Sequence, residues 1–282
     1  ALAPVAAADS GATAAAAAAL SWREYFPDER LQAVIQRALE GNRDLRIAAL
    51  SVERAAAMYR IQRSQLVPTF GLQASGSKME VPGAMTESGD PETTEQYAVE
   101  VGFLSWEIDV FGRLRSLKRA AREQFLATGE TQRAVQMSLV AAVASAWFRL
   151  AADTERLRLA TATIEAQTTT RDLIQASRDA GVASDLDLSQ AESQVETARA
   201  SRAEFAGAVE VDRHALELLA GGPLPDELLP GELSELTELP PLAGDLPSEV
   251  LLARPDILAA EHRLRAVNAD IGAARAAFFP RI

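Results

Sequence analysis

No proline occurs between Pro91 and Pro223, and between Arg113 and Ala220 the only glycines are Gly129, Gly181 and Gly207. A stretch this long without helix breakers does not divide into the short elements of an ordinary domain. The pattern predicts a single helix from Leu114 to Ala180, roughly 100 Å long at about 1.5 Å per residue. Leu139, Val143, Ala146, Leu150, Asp153, Leu157, Ala160 and Ile164 advance by threes and fours. So do Leu188, Ala191, Val195, Ala198, Arg202, Phe205, Val209, Asp212, Leu216 and Leu219 in the segment that follows. That repeat winds helices into a left-handed supercoil. Between the two segments, Gly181 permits a left-handed helix end and Ser184 can cap the next helix. The expected product is an antiparallel helical hairpin with a tight tip. Asp153, Arg202 and Asp212 interrupt the apolar seams; they can set the register or line a wet lumen, and register is the reading adopted for them.

Composition fits such a rod. Hydrophobic residues make up 48% of the chain but aromatics only 5%. Much of the apolar content is alanine, which favours helix and lets helices approach closely. The net charge of -12 argues against a nucleic-acid partner, which needs clustered cations. With no cysteine, disulfides, thiolate catalysis and cysteine-ligated metals are excluded.

Residues 1–20 read as a flexible Ala-rich leader lacking the basic and apolar regions of a signal peptide. The longest uninterrupted apolar runs, Ala14 to Leu20 and Val140 to Ala144, fall well short of the ~20 residues of a spanning helix. Any membrane crossing must then use strands closed into a barrel. A helix capped by Asp28 carries Leu31, Val34, Ile35, Ala38 and Leu39 at helical spacing, and Gly41-Asn42 ends it. A second helix runs from about Asp44 to Gln65, stopped by Pro68.

Beyond Pro68 the period drops to two. Phe70, Leu72 and Ala74 alternate with polar or small residues. After a polar segment containing Pro82, Gly83, Gly89, Asp90 and Pro91, the residues Tyr97, Val99, Val101 and Phe103 again share one face. This predicts a hairpin of two strands of roughly ten residues joined by a long acidic loop. Ten residues is also about the length of a strand crossing a bilayer. A soluble hairpin with one buried face fits the same alternation, and periodicity leaves both open. The phase slips at Ser105.

Residues 42–70 align without gaps on residues 254–282, matching Asp44 to Asp256, Ala48 to Ala260, Ala57 to Ala269, Arg63 to Arg275 and Pro68 to Pro280. Both copies read as a helix closed by a proline and a hydrophobic residue. The second copy stops at Ile282, where the first enters its hairpin, so the chain looks like one repeat plus the opening of another.

Several motifs in order carry a resemblance: Trp22-Arg23-Glu24-Tyr25-Phe26, Asn42-Arg43-Asp44-Leu45-Arg46, Trp106-Glu107-Ile108-Asp109-Val110-Phe111-Gly112-Arg113, Gly181-Val182-Ala183-Ser184-Asp185-Leu186-Asp187-Leu188, Arg254-Pro255-Asp256-Ile257, and Ala273 to Pro280. Together they resemble the TolC family of outer-membrane efflux channels, most closely its OprM-like (NodT-type) lipoprotein branch. The resemblance implies a mainly α fold with a small membrane β part. Long coiled helices would form an α-barrel tunnel, and each subunit of a homotrimer would give four strands to one 12-stranded barrel. It also implies a passive exporter of drugs, metals or other small molecules in the outer membrane of a Gram-negative bacterium. Its partners would be outer-membrane lipid, a periplasmic adaptor and an inner-membrane pump. On this reading the chain divides into a leader (1–20), a helical part (21–67), the barrel hairpin (68–106), the periplasmic helical hairpin (107–220), an equatorial connector (221–253) and the start of a second repeat (254–282). Phe70, Leu72, Ala74, Tyr97, Val99, Val101 and Phe103 would face the membrane. The tip from Gly181, Val182, Ala183 and Ser184 through Asp185, Leu186, Asp187 and Leu188 would dock the adaptor. The branch's lipidated cysteine would lie upstream of Ala1. The family's gate aspartates belong to the second half, so no residue here is assigned to the gate. Two strands per chain would close only a six-stranded ring, too narrow for a pore.

Enzyme chemistry finds little support. His214 and Glu217 sit three apart and His262 follows Glu261, but neither pair has a third metal ligand, and a solvated helix face is the reading taken for both. Asp185 and Asp187 read as helix-capping acids. No phosphate loop, nucleophile elbow or paired-carboxylate motif occurs, and no cofactor or metal is expected. The competing assignments are a periplasmic adaptor and a coiled-coil scaffold with no channel. An adaptor would flank its hairpin with small β modules, and a scaffold would not need the alternating segments.

Overall fold

The computed structural model describes residues 21–85, 89–233, 236, 238–241 and 248–282. The leader (1–20), the middle of the strand loop and parts of the connector lie outside the described residues. So do the side chains of residues 103–105. In chain order the elements are α1 (Trp22–Tyr25), α2 (Glu29–Gly41), α3 (Arg43–Ser64), β1 (Thr69–Val81), β2 (Glu92–Ser105), α4 (Arg113–Asp179), α5 (Asp185–Ala220) and α6 (Pro255–Ala276), with short 3-10 turns between some of them. Helix α4 is 67 residues long, beginning and ending one residue before its expected bounds. The helices α3 and α6 have 22 residues each and start at positions 43 and 255, the offset of 212 that the internal repeat requires.

Two compact units form, one from the residues up to Leu50 with Glu130–Ile257, the other from Ser51–Gly129 with Leu258–Ile282. In the first unit, Leu31, Val34, Ile35 and Ala38 of α2 pack with Val143, Trp147 and Leu150 of α4 and with Leu216 and Ala220 of α5. Trp147 is fully buried, and its indole N–H donates to the carbonyl of Leu228 at 3.1 Å. By composition alone α4 contains one window apolar enough to cross a membrane. Its Leu139, Val143, Trp147 and Leu150 instead fill this core, where a lipid-facing helix would have no packed partners.

In this unit α2 and α5 end against each other. Gly221, at φ 83°, closes α5, and a Cβ placed on it would stand 2.4 Å from the carbonyl oxygen of Gly41. Asn42 spans the same contact. Its amide donates to the Leu219 carbonyl at 3.1 Å, while its oxygen accepts from the N–H groups of Asp44 (2.9 Å) and Leu45 (3.0 Å), capping α3.

In the second unit, β1 and β2 pair antiparallel from Thr69↔Ser105 to Val81↔Glu92, with a register shift between Thr69 and Phe70. That bulge is the phase slip seen in sequence at Ser105. The strands are longer, and the connection shorter, than the alternation alone suggests, because Lys78–Val81 and Glu92–Glu95 also pair. Helix α6 packs on the start of α4 through small residues. A Cβ on Gly272 would lie 3.1 Å from the Ser116 hydroxyl, and Ala259, Ala266, Ala273 and Ala276 are its buried positions.

Candidate functional site

The signature motifs turn out to be mechanical parts of chain junctions. At the strand-to-helix junction Glu107 holds Arg113 in a two-point ion pair, with hydrogen bonds of 2.9 and 2.5 Å. The hydrogen bond from Arg113 keeps the Glu107 carboxyl below its ordinary range, against burial. Asp109 accepts from the backbone N–H groups of Leu114 (3.1 Å) and Arg115 (2.9 Å), satisfying the free donors at the start of α4. Burial works against its charge, but those two N–H groups and the Arg115 side chain together lower its pKa. Gly112 takes φ 76° to make the turn. Phe111 stacks on Phe279 of the second repeat at 4.5 Å, and the N–H of Ile108 donates to the carbonyl of Ile282 at 2.9 Å. Arg254 and Asp256 form a comparable two-point clasp at the start of α6.

The helical tip is built the same way. Gly181 adopts φ 75°, and the N–H groups of Gly181 and Val182 donate to the carbonyls of Arg178 and Ser177. Ser184 and Asp187 form a reciprocal capping box. The hydrogen bonds from Ser184, the hydroxyl first and then the backbone, lower the pKa of Asp187. Arg178 bridges to Asp185 at 2.8 Å across the turn. With its backbone tied down, the tip presents Val182 and Leu186 to the exterior, 83% and 64% exposed, while Leu188 begins the buried seam. Ala183 is half-buried.

On the hairpin, Leu72 lies opposite Val101, Ala74 opposite Val99 and Gly76 opposite Tyr97, so these residues share one face with Phe70, whose register partner is Phe103. The Phe103 side chain lies outside the described residues. Phe70, Leu72, Tyr97, Val99 and Val101 are between 67% and 76% exposed. Tyr97 lies over Gly76, where an added Cβ would meet its ring at 3.1 Å. One step further, Lys78 and Glu95 form an ion pair at 2.6 Å and end the apolar face. The reverse face pairs Gln73 with Glu100, Ser75 with Ala98 and Ser77 with Gln96.

In the coiled seam, Asp153 and Asp212 are each only 8% exposed. Asp153 is held by Arg156, whereas Oδ2 of Asp212 has no hydrogen-bond partner. Burial, then hydrogen bonding and like charge from Asp153, raise the Asp212 pKa, and Arg149 opposes them. Arg202 does not occupy the seam. It is exposed, and Ser201 and Phe205 are half-buried at that level, because a 3.6-residue helix drifts off a 3.5-residue repeat. His262 also departs from expectation. It is not solvated but bonds Glu123 of α4 at 2.7 Å, both side chains being largely covered. His214 stays exposed beside Glu217 at 3.3 Å, as expected. Among the described residues no group of three or more metal-ligating side chains comes together.

The profile of the family described as "outer membrane efflux protein" matches residues 34–222 and 246–282. The toluene efflux pump outer membrane protein TtgC of Pseudomonas putida is 44% identical over 270 residues, covering 95% of this chain and 55% of that protein. Outer membrane protein OprJ of Pseudomonas aeruginosa is 40% identical over 285 residues, covering 99% and 60%. The chain therefore spans about half the length of the curated relatives it matches. Among solved structures, the open state of the Neisseria gonorrhoeae MtrE outer membrane channel superposes with a TM-score of 0.80 at 38% identity, covering 93% of this chain and 58% of that one. CusC, described in terms of folding and transmembrane channel formation, gives 0.80 at 35% identity, covering 93% and 60%.

Proposed function

Because this chain belongs to the outer membrane efflux protein family, we propose that it forms the first half of a channel subunit through which small molecules leave a Gram-negative cell passively. The observation that carries this reading is the two-faced, uncovered hairpin. Burying a Leu-, Val- or Phe-sized side chain is worth about 1.5–3 kcal/mol. Five such residues left exposed therefore forfeit on the order of 10 kcal/mol in water, and a lone two-stranded hairpin is marginal there in any case. Lipid reverses that balance. From Phe70 to Gly76, which lies opposite Tyr97, the apolar face spans six residue steps, roughly 20 Å along the strand. At the tilt of barrel strands its height is about 15 Å, the greater part of the apolar band of about 25 Å on an outer-membrane barrel. Gln73, Glu100, Ser75 and Ser77 would then line the lumen.

The assembly we infer is a homotrimer closing one barrel and one helical tunnel, with a periplasmic adaptor and an inner-membrane pump below. Exposed apolar residues at helical spacing, Ile47, Leu50, Met58 and Ile61 on α3 and Leu264, Val267 and Ile271 on α6, support helix neighbours from outside this chain. We place the adaptor contact at Gly181–Leu188, a reading supported by Val182 and Leu186, which stand out from a tip whose helix start is closed by a capping box. The adaptor reading for the chain itself is disfavoured, since the helices flanking its hairpin are two copies of one repeat rather than β modules.

The test is a pair of substitutions in the full-length protein. Val99→Arg places a cation toward lipid, which costs about 2–4 kcal/mol near the midplane, and is expected to abolish heat-modifiable trimers in the outer membrane. Glu100→Arg on the reverse face is expected to assemble and to shift ion selectivity toward anions. Equal tolerance of both would refute the membrane assignment.

A further inference from the structure

Charge changes sign along the hairpin. Residues 69–105 carry one cation, Lys78, against Glu80, Glu87, Asp90, Glu92, Glu95 and Glu100, and all of these acids but Glu100 belong to the turn end. At the open end α4 begins Arg-Leu-Arg-Ser-Leu-Lys-Arg-Ala-Ala-Arg, five cations and no acid in ten residues. Arg113 is taken up by Glu107. The others, Arg115, Lys118, Arg119 and Arg122, fall at i, i+3, i+4 and i+7 and so form one stripe two turns long. Arg115, Arg119 and Arg122 are exposed and Lys118 is half-buried.

Little within the helix favours this arrangement. The first turn of α4 contains no acid, so Arg113 and Arg115 sit at the positive end of the helix dipole. Arg115 with Arg119, and Lys118 with Arg122, are like charges at i, i+4, which destabilise a helix. Internal compensation is slight. Arg115 reaches Asp109 at 3.1 Å, and Arg122 lies 3.9 Å from Glu123, a carboxylate already bonded to His262. Among the described residues Lys118 and Arg119 have no ion-pair partner. Helix α6 covers a different face of α4, the one bearing Ser116 and Glu123, and leaves the stripe open.

We propose that Arg115, Lys118, Arg119 and Arg122 bind the phosphate groups of anionic phospholipid in the leaflet at the open end of the hairpin. The proposal rests on the membrane reading above. In a bilayer, headgroups occupy the layer of about 5–7 Å just beyond the hydrocarbon. The stripe begins ten residues after β2 ends at Ser105, on a helix whose first residues, Arg113 and Leu114, line one cavity with Thr69 and Trp106 at the open end of the hairpin. Long Arg and Lys side chains extend to such a layer while their stems lie along apolar surface. The acidic turn end would face the opposite side, so the hairpin has an electrostatic direction as well as an apolar belt.

The experiment uses the full-length channel in phosphatidylcholine vesicles with trace spin-labelled phosphatidylglycerol or phosphatidylcholine, comparing the motionally restricted fraction of each label by electron spin resonance. The expected result is a preference for phosphatidylglycerol of about threefold or more at low salt, a modest share of what several surface cations supply. It should fall toward unity in high salt and in the Lys118→Gln, Arg119→Gln, Arg122→Gln triple variant. The charge-preserving Lys118→Arg, Arg119→Lys, Arg122→Lys variant should restore it. A triple variant that keeps the preference, or a wild-type protein without one, overturns the proposal. So does a triple variant that no longer forms trimers, since the stripe would then be a subunit contact. If neither label shows a restricted fraction, the membrane reading has failed instead.

Discussion

The Gly41–Gly221 contact gives a sharp stability prediction, because a second glycine supplies its control. Gly221 and Gly181 both sit at left-handed φ, 83° and 75°. Alanine at either pays for that conformation, about 1–2 kcal/mol. At Gly181 an added Cβ meets nothing within 4 Å, whereas at Gly221 it lands 2.4 Å from the Gly41 oxygen and 2.6 Å from its carbonyl carbon. An ordinary contact there is at least 3.4 Å, so the ends of α2 and α5 must move apart by about an ångström. They are fixed by Ala38, Leu216 and Ala220 in the core, and overpacking of this kind costs about 1–3 kcal/mol more. Gly221→Ala should therefore lose about 2–5 kcal/mol and Gly181→Ala about 1–2 kcal/mol. The assay is thermal unfolding of the full-length protein in detergent at a fixed scan rate, followed by tryptophan fluorescence because Trp147 lies in the affected core. Gly221→Ala should lower Tm further than Gly181→Ala, by the equivalent of about 1–3 kcal/mol. Equal shifts would mean that the two helix ends are not in the close contact described.

Asp212→Asn should stabilise the protein near neutral pH by about 1–3 kcal/mol, because an amide can donate to Asp153 where a carboxylate cannot. A carboxyl with a raised folded pKa contributes stability below the ordinary carboxylate range and loses it as pH rises through the folded value, so the gain should vanish in acid. Denaturant midpoints across that pH range check it. Asp109→Ala should destabilise the strand-to-helix junction by about 1–2 kcal/mol. Its lowered pKa reverses the sign: the native contribution is present above the unfolded value and disappears as pH falls through the folded one, so mutant and wild type should converge in acid. Asp187→Ala should loosen the tip with the same pH sign, seen as faster amide exchange at Gly181–Leu188 and unchanged exchange around Trp147.

Local features were legible in the sequence, and features depending on distant partners were not. The length of α4, the Asp28 and Ser184 caps, the glycine turn at 181 and the repeat of α3 in α6 follow from period, breaker residues and capping chemistry. The strand ends do not, because Lys78–Val81 and Glu92–Glu95 lack a clean apolar face, and the pairing that orders them, Lys78 with Glu95, crosses the hairpin. Arg202 was placed in the seam by counting threes and fours, which ignores a helix's slow drift against that count. His262 looked solvated because Glu123 is 139 residues away. The face carrying Phe70, Leu72, Val99 and Val101 could be read from alternation. That nothing among the described residues covers it could not.

Among the described residues, every backbone position at positive φ is a glycine: Gly89, Gly112, Gly181 and Gly221. Each falls at the end of an element or in a turn. Requirements for a single residue identity are thus concentrated at a few corners, while the interiors of the rods ask only for size and period. Segments exchanged between relatives should accordingly splice well inside α4 or α5 when whole heptads are kept. Exchanges that displace one of these corners by a single residue should fail even at high overall similarity.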